Sequence, residues 1–313
     1  MFFYCLYRVL HVIPVAFGVV VAVALLIHFV PGDPVDTLLG EFATPQERIQ
    51  LRERLGLQQP VGMQVVTYVK QVARGDLGSS LIYNRPVAEM IVERLLPTVE
   101  LALLAVLVAL LLGVPMGIFS ALQQGRWLDG FSSVFSLIGV AMPTFWLGPM
   151  LVLLFSVWLG WLPVSERGGW TSYVLPACTM GIALSAILNR MTRSSMLEHL
   201  KENYVRTARA KGCSESVVIG KHVLRNAALP LVTVAGLQFG VLLTGAVITE
   251  RVFDWPGVGS LMLEGLNNRD YPIVQGCVLL FSASYLLVNL LTDLLYAFVD
   301  PRIQLQTRSA RHG

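Results

Sequence analysis

Long uninterrupted runs of apolar residues constrain the fold of this chain more than any other feature. They cover residues 9–30, 98–121, 131–159, 173–191, 231–249 and 273–299. Each run has at least roughly the 20 residues that an α-helix needs to cross the hydrocarbon core of a bilayer. The apolar residues fill each run instead of recurring at the period of a surface helix. The sequence therefore predicts an all-α, polytopic membrane protein with about six transmembrane helices.

Composition supports this interpretation. Hydrophobic residues make up 55% of the chain and charged residues 14%, whereas roughly a quarter of the residues in a soluble domain are charged. The four cysteines are scattered without metal-ligand spacing and are expected to be buried apolar residues. The net charge of +3 is too small to indicate nucleic-acid binding.

A polar segment, residues 31–97, follows the first run. Its helical signals include the capping box Thr44-Pro45-Gln46-Glu47, and Gly56 is expected to end that helix. Amphipathic helices are predicted over 61–74 and 86–96. The first run is longer than a signal-peptide core and lacks a cleavage site, so we expect a retained span followed by a small helical insert.

Basic residues near the span ends predict the orientation. With the N-terminus inside, the cytoplasmic parts contain Arg8, Arg126, a basic loop at 190–230 and a basic tail at 300–313. The short outer loops contain only Arg167, Arg251 and Arg269. Both termini are therefore predicted to be cytoplasmic, and the insert extracytoplasmic. The predicted organisation is an N-terminal span (1–30), the insert (31–97), a five-span core (98–299) and the tail (300–313).

Catalytic and metal-binding motifs are missing from the sequence. There is no GxSxG, HExxH or Walker A pattern, and the five histidines lack metal-ligand spacing. We therefore expect no catalytic residue, cofactor or metal ion in this chain. Asp293 lies well within an apolar run, one turn after Asn289, and is interpreted as a residue for hydrogen bonding between helices. A stand-alone channel or secondary carrier stays open as an alternative.

The loop at 190–230 is long and basic, and it contains a short predicted helix that ends at Gly212 and a second one over 214–226. Two interpretations remain open from the residues alone. The loop could bind anionic lipid headgroups. The small residues among its charges could instead allow a protein partner to dock closely.

The loop closely resembles the cytoplasmic EAA loop of permease subunits in ATP-binding-cassette importers, with Gly212 at the glycine and Ala208 at an alanine of that motif. Arg206 and Thr207 depart from the general pattern, and Leu229-Pro230 comes late. With these departures, the loop sequence resembles that of permeases in the dipeptide/oligopeptide/nickel branch of the family.

Further segments of that branch recur in order along the chain. They are Pro31-Gly32-Asp33-Pro34, Leu55-Gly56-Leu57, Gly75-Asp76-Leu77-Gly78, Met191-Thr192-Arg193-Ser194-Ser195-Met196, Trp255-Pro256-Gly257-Val258-Gly259, Arg269-Asp270-Tyr271-Pro272 and Asp300-Pro301-Arg302. The large insert resembles the B-type permease of the pair.

The resemblance implies a set of partners and sites. A second, C-type permease would complete the pore, two ATP-binding subunits would hydrolyse ATP with Mg²⁺, and an extracytoplasmic solute-binding protein would deliver the ligand. The ATPase-coupling residues would be Tyr204, Arg206, Thr207, Ala208, Arg209, Ala210, Lys211 and Gly212. Possible contacts to the binding protein are Phe253, Trp255, Pro256 and Gly257.

The resemblance also implies a location in the inner membrane and a peptide substrate, including glutathione-like tripeptides. Nickel uptake is the alternative within the same family.

Overall fold

A computed structural model describes residues 2–29, 35, 39, 44–54, 58–164 and 168–299 of the chain. These residues form helices and connecting turns, with one isolated bridge between Ser79 and Pro86 and no strand within the described ranges. The predicted all-α fold is confirmed. The motifs at 31–34, 55–57 and 300–302, the helix end at Gly56 and the tail at 300–313 lie outside the described residues.

Thirteen α-helices are described. They are α1 Phe2–Phe29, α2 Pro45–Arg54, α3 Val61–Ala73, α4 Val87–Leu122, α5 Trp127–Ala141, α6 Thr144–Leu151, α7 Val174–His199, α8 Asn203–Ala210, α9 Glu215–Val217, α10 Arg225–Gly245, α11 Val247–Val252, α12 Val258–Asn267 and α13 Tyr271–Val299. A π-helical stretch, Val152–Trp158, follows α6, and a second one, Val218–Leu224, joins α9 to α10. A 3₁₀ turn, Trp170–Tyr173, precedes α7.

Four helical segments are long and apolar enough to cross a membrane: Arg8–His28, Val87–Leu122, Trp170–His199 and Tyr271–Leu294. Two bent pairs, Trp127–Ala141 with Thr144–Trp158 and Glu215–Ala228 with Pro230–Thr244, raise the number to six if each pair is one span. The predicted number of about six is therefore reached only with the bent pairs included.

The run at 131–159 is not one straight helix. Helix α5 ends at Ala141, Met142 has an extended backbone with φ −82° and ψ 117°, and α6 begins after Pro143. The axes differ by 107°. A residue before proline is disfavoured in the α conformation, so the Met142-Pro143 pair accounts for the break.

The described chain divides into two compact units. One contains Val99–Trp255 and the chain from Leu287, and the other contains Phe2–Thr98 and Pro256–Leu286. Pro256–Leu286 thus clusters with the first span and the insert.

Close helix packing in the first unit depends on glycine. A Cβ atom on Gly113 would lie 2.4 Å from the carbonyl oxygen of Ser185, and one on Gly117 would lie 2.5 Å from the Cβ of Thr192. Helix α4 therefore lies directly against α7, as small residues allow in membrane helices.

The second unit has its own apolar core, formed by α4, α12 and α13. Its buried members are Val87, Met90, Ile91, Val258, Leu261, Ile273 and Cys277.

In the insert, the capping box at the start of α2 is confirmed. The backbone N–H of Thr44 donates to the Glu47 carboxylate at 2.8 Å, and the N–H of Glu47 donates back to the Thr44 hydroxyl at 3.3 Å. The hydrogen bonds from Thr44 lower the pKa of Glu47.

Candidate functional site

Helix α8 carries the residues that the sequence marks for partner contact, and it has two distinct faces. Val205 and Ala208, three positions apart, are buried. Arg206, Thr207, Arg209, Ala210, Lys211 and Gly212 are exposed. Residues three apart share a face of a helix, so the buried pair attaches α8 to the protein and the exposed residues form the opposite surface. We call these six exposed residues the α8 surface.

Gly212 ends α8 in the conformation that glycine favours. Its φ is +77°, in the left-handed region. Its N–H donates to the carbonyl of Arg209 at 2.9 Å, and the N–H of Cys213 donates to the carbonyl of Ala208 at 3.3 Å. This pair of bonds is the Schellman motif, which satisfies the last carbonyls of a helix. The glycine predicted to stop this helix therefore does so.

An ion pair fixes the turn after α8. Arg209 donates from Nε to Glu215 Oε1 at 2.7 Å and from Nη2 to Oε2 at 3.2 Å. The pair is exposed, so its contribution to stability is small. It does hold the guanidinium of Arg209 toward the start of α9.

An apolar cluster lies beneath α8. Its buried members are Ala121, Met196, Val205, Ala208, Val218, Val223 and Ala227, which we call the inner cluster. They come from the end of α4, the end of α7, α8 itself, the π-helical stretch Val218–Leu224 and the first turn of α10. Tyr204 packs partly against this cluster. Ala208, expected to allow close approach of a partner, is thus occupied by packing within the chain, and Ala210 and Gly212 are the small residues on the surface.

A charged network lies next to this cluster. Oδ1 of Asp129, on α5, accepts hydrogen bonds from Nε of Arg193 at 2.7 Å and from the Ser120 hydroxyl at 2.6 Å. Its Oδ2 accepts from Nη2 of Arg193 and from the N–H of Gly125, both at 2.9 Å. No role was predicted for Asp129 from the sequence. The available signal was an acidic residue at the start of an apolar run, together with an arginine at the end of another.

A second polar group links α5 and α7. The Asn189 amide donates to the hydroxyls of Ser132 and Ser136, each at 2.8 Å. All three residues are buried.

Asp293, which was predicted to form hydrogen bonds between helices, is half-buried on α13.

The four residues proposed to contact a binding protein are mostly buried. Phe253 and Trp255 are each 2% exposed, Gly257 is buried, and Pro256 is half-buried. Trp255 packs edge to face on Tyr173, with ring centroids 4.7 Å apart. Contact between this loop and a partner stays a prediction, and Pro256 is the member with accessible surface.

Two of the sequence motifs meet in the second unit. Oδ2 of Asp270 accepts hydrogen bonds from the Ser80 hydroxyl at 2.5 Å and from the N–H groups of Leu81 and Ile82 at 3.0 and 3.2 Å. The preceding motif folds as a turn in which Gly75 and Gly78 have φ near +80°. The Gly75–Gly78 motif thus leads into a turn that Asp270 holds.

Among the described residues, no group of three or more His, Cys, Asp or Glu side chains is arranged to hold a metal ion.

Comparisons with known proteins place these features in a family. Residues 113–305 match the model of the binding-protein-dependent transport system inner membrane component, and residues 1–102 match the model of the N-terminal part of such membrane components. The chain is 44% identical over 301 residues to the glutathione transport system permease protein GsiC of Salmonella typhimurium, which covers 96% of this chain and 98% of that protein. It is 43% identical, with the same coverage, to GsiC of Escherichia coli strain K12.

The fold is also similar to a solved transporter. A chain of the MetNI methionine ABC transporter, in inward-facing crystal forms, aligns with TM-scores of 0.53 and 0.54 at 16% identity. The alignment covers 67% of this chain and 96% of that one.

Permeases of this kind work with ATP-binding subunits, which hydrolyse the ATP, and with a substrate-binding protein. A stand-alone channel or carrier is therefore no longer needed to explain the chain. The chain belongs to the family of binding-protein-dependent transport system inner membrane components. It is a non-catalytic permease subunit of an ATP-binding-cassette importer in the bacterial inner membrane.

Proposed function

We propose that this chain forms half of the pore of an importer for short peptides, with glutathione-like tripeptides as the favoured substrate. The observation that carries the proposal is its 44% identity to glutathione transport permeases along 98% of their length. Nickel uptake is the alternative from the same branch. Recognition of the cargo is expected to belong mainly to the solute-binding protein.

The complete importer contains four further components in this proposal. A C-type permease forms the other half of the pore, two ATP-binding subunits dock on the cytoplasmic side, and a solute-binding protein docks on the outer side. Both termini of this chain and α8 then face the cytoplasm, as the distribution of basic residues favours. The partner subunits use ATP and Mg²⁺, and this chain binds no cofactor.

The α8 surface is the proposed docking site for an ATP-binding subunit. Arg206 and Lys211 supply positive charge, which gives electrostatic complementarity to an acidic groove. Arg209 contributes after exchange of its Glu215 partner for a carboxylate of the ATP-binding subunit. Ala210 and Gly212 have no long side chain and permit close approach. ATP-driven closure of the ATP-binding subunits then moves α8, and α8 moves the spans to which Val205 and Ala208 attach it.

Substitution of Ala210 by glutamate tests this docking. Ala210 is exposed, so the variant is expected to reach the membrane in normal amounts, while uptake and the stimulation of ATP hydrolysis by loaded binding protein fall. Ala73→Glu on α3 is the matched control, since Ala73 is also an exposed helical alanine. Full stimulation and uptake by Ala210→Glu would contradict docking at this surface.

Uptake assays test the substrate. Proteoliposomes with the complete complex and its binding protein are given labelled glutathione, a labelled dipeptide or ⁶³Ni²⁺, with and without ATP. We expect ATP-dependent accumulation of glutathione. Accumulation of nickel alone would replace the peptide proposal by the nickel alternative, and uptake by this chain without ATP-binding subunits would contradict both.

A further inference from the structure

The Asp129–Arg193 pair has the geometry of a rigid joint between helices. The guanidinium of Arg193 meets the carboxylate with two parallel hydrogen bonds, at 2.7 and 2.9 Å. The Ser120 hydroxyl and the Gly125 N–H each add one more bond, one to either oxygen. A bidentate arginine–carboxylate pair fixes both distance and orientation, because the planar fork matches the two oxygens.

The four groups come from four places in the fold. Ser120 lies near the end of α4, Gly125 in the α4–α5 turn, Asp129 in the first turn of α5 and Arg193 in α7. Gly125 has φ +78°, so the turn takes a conformation that favours glycine while its N–H donates to Asp129. The pair therefore ties three helices and one turn together.

The joint is continuous with the inner cluster under α8. Ala121 follows Ser120 on α4, and Met196 lies one helical turn after Arg193 on α7. Both are buried in the inner cluster with Val205 and Ala208 of α8. A displacement of α8 reaches α4 and α7 through these apolar contacts, which are not directional and do not fix an orientation.

We propose that Asp129 and Arg193 are positioning residues for energy coupling, which lock α4, α5 and α7 into one body that follows the movement of α8. The inference rests on the proposed docking of an ATP-binding subunit at the α8 surface. With the pair intact, the three helices move together. Without it, α8 still docks, but the helices can shift against one another and part of the movement is lost before it reaches the pore.

A cation-binding or substrate-binding role fits the geometry less well. Each carboxylate oxygen of Asp129 already accepts two hydrogen bonds, and the side chain of Asp129 is 10% exposed. An oxygen with two donors has little capacity for another ligand. The pair is thus built to hold helices.

The test measures the number of substrate molecules imported per ATP hydrolysed, in nanodisc or proteoliposome preparations of the complete complex with its binding protein. In Asp129→Asn, an amide N–H₂ replaces one acceptor oxygen and faces donors only. We expect the ATP-binding subunits to co-elute as in the wild type and ATP hydrolysis to continue. The number of substrate molecules imported per ATP should fall at least about fivefold, because about fivefold is the lower end of the usual coupling between two sites.

A gentler variant covers the case in which Asp129→Asn does not fold. Arg193→Lys keeps the positive charge but not the fork, and is expected to give folded complex with a smaller loss of import per ATP. Glu93→Gln is the matched control, because it breaks another bidentate pair, with Arg85, at 2.6 and 3.3 Å in the other compact unit. Its import per ATP should equal that of the wild type.

The outcomes separate this inference from the proposed function. Unchanged import per ATP in Asp129→Asn, or in Arg193→Lys if the former does not fold, overturns the positioning role while docking stands. A parallel fall in import and hydrolysis at a fixed ratio also overturns it, since that pattern indicates a merely structural loss. Lack of co-elution of the wild-type chain with ATP-binding subunits would instead contradict the proposed function itself.

Discussion

Asp129 and Asp270 are two buried aspartates that organise turns in different ways. Asp129, in the first compact unit, uses both carboxylate oxygens and is paired with a cation, Arg193. Asp270, in the second, gathers its three shortest hydrogen bonds on a single oxygen, and all three donors are neutral groups of residues 80–82. Within the described residues, Oδ1 of Asp270 accepts a long bond of 3.5 Å, from the N–H of Ile273.

The difference shows what each site requires of its side chain. The Asp129 site requires two acceptor oxygens and a negative charge, because it joins separate helices through a guanidinium. The Asp270 site requires one well-placed acceptor, because it holds one turn through backbone and hydroxyl groups. We therefore expect Asp129→Asn to destabilise the protein and Asp270→Asn to leave its stability nearly unchanged.

The largest effect is expected from removal of the Asp129 carboxylate. Asp129→Ala leaves Arg193 without its partner and should lower stability by about 2–3 kcal/mol, less than for a fully buried pair because the Arg193 side chain is 32% exposed. The measurement is the thermal midpoint of the purified complex in detergent. If Asp129→Asn retains the wild-type midpoint, the requirement for two oxygens is refuted.

The next effect is expected from Asp270→Ala, at about 1–3 kcal/mol, since the donors of the 80–82 turn lose their acceptor. Water can replace part of the lost hydrogen bonding, because Ile82 is exposed. Hydrogen exchange should rise at Leu81 and Ile82. Asp270→Asn is the control, and it should keep near-wild-type protection by placing its amide oxygen at the Oδ2 position. Equal exchange in the two variants would show that the charge matters here too.

A smaller effect is expected from Arg193→Lys. The ammonium keeps the charge but cannot form the two parallel bonds, so we expect a loss of about 1–1.5 kcal/mol, close to one hydrogen bond. The thermal midpoint should fall between those of the wild type and Asp129→Ala. A midpoint as low as that of Asp129→Ala would mean that the fork supplies nearly all of the stabilisation.

The smallest effect is expected from Ser120→Ala, at about 0.5–1.5 kcal/mol, because Arg193 and Gly125 continue to satisfy the carboxylate. Ser80→Ala is the corresponding change at Asp270. It should cost more, because the Ser80 hydroxyl also accepts from the N–H groups of Ile82 and Tyr83. Midpoints in the reverse order would refute this ranking.

Local patterns made part of this structure predictable. Helical spans follow from run length and hydropathy, the start of α2 from its capping box, and the end of α8 from Gly212. These features depend on residues within a few positions of each other. The family resemblance likewise rests on contiguous motifs.

Other features depend on which residues meet in the folded chain. Asp129 and Arg193 are 64 positions apart, and nothing local in the sequence links them. Whether Ala208 and Trp255 face a partner or the interior depends on the helices packed against them, and both are buried within this chain. The Met142-Pro143 break had a local signal, but the continuous apolarity of the run outweighed it.

That break has a consequence for water. A continuous helix satisfies its own backbone and can remain dry in hydrocarbon, but each end of an interrupted helix leaves carbonyl or N–H groups without intrahelical partners. The carbonyl groups at the end of α5 and the N–H groups at the start of α6 that lack such a partner therefore need polar side chains, other backbone groups or water. If this bent pair lies in hydrocarbon, we expect polar groups or water to reach the backbone near Met142.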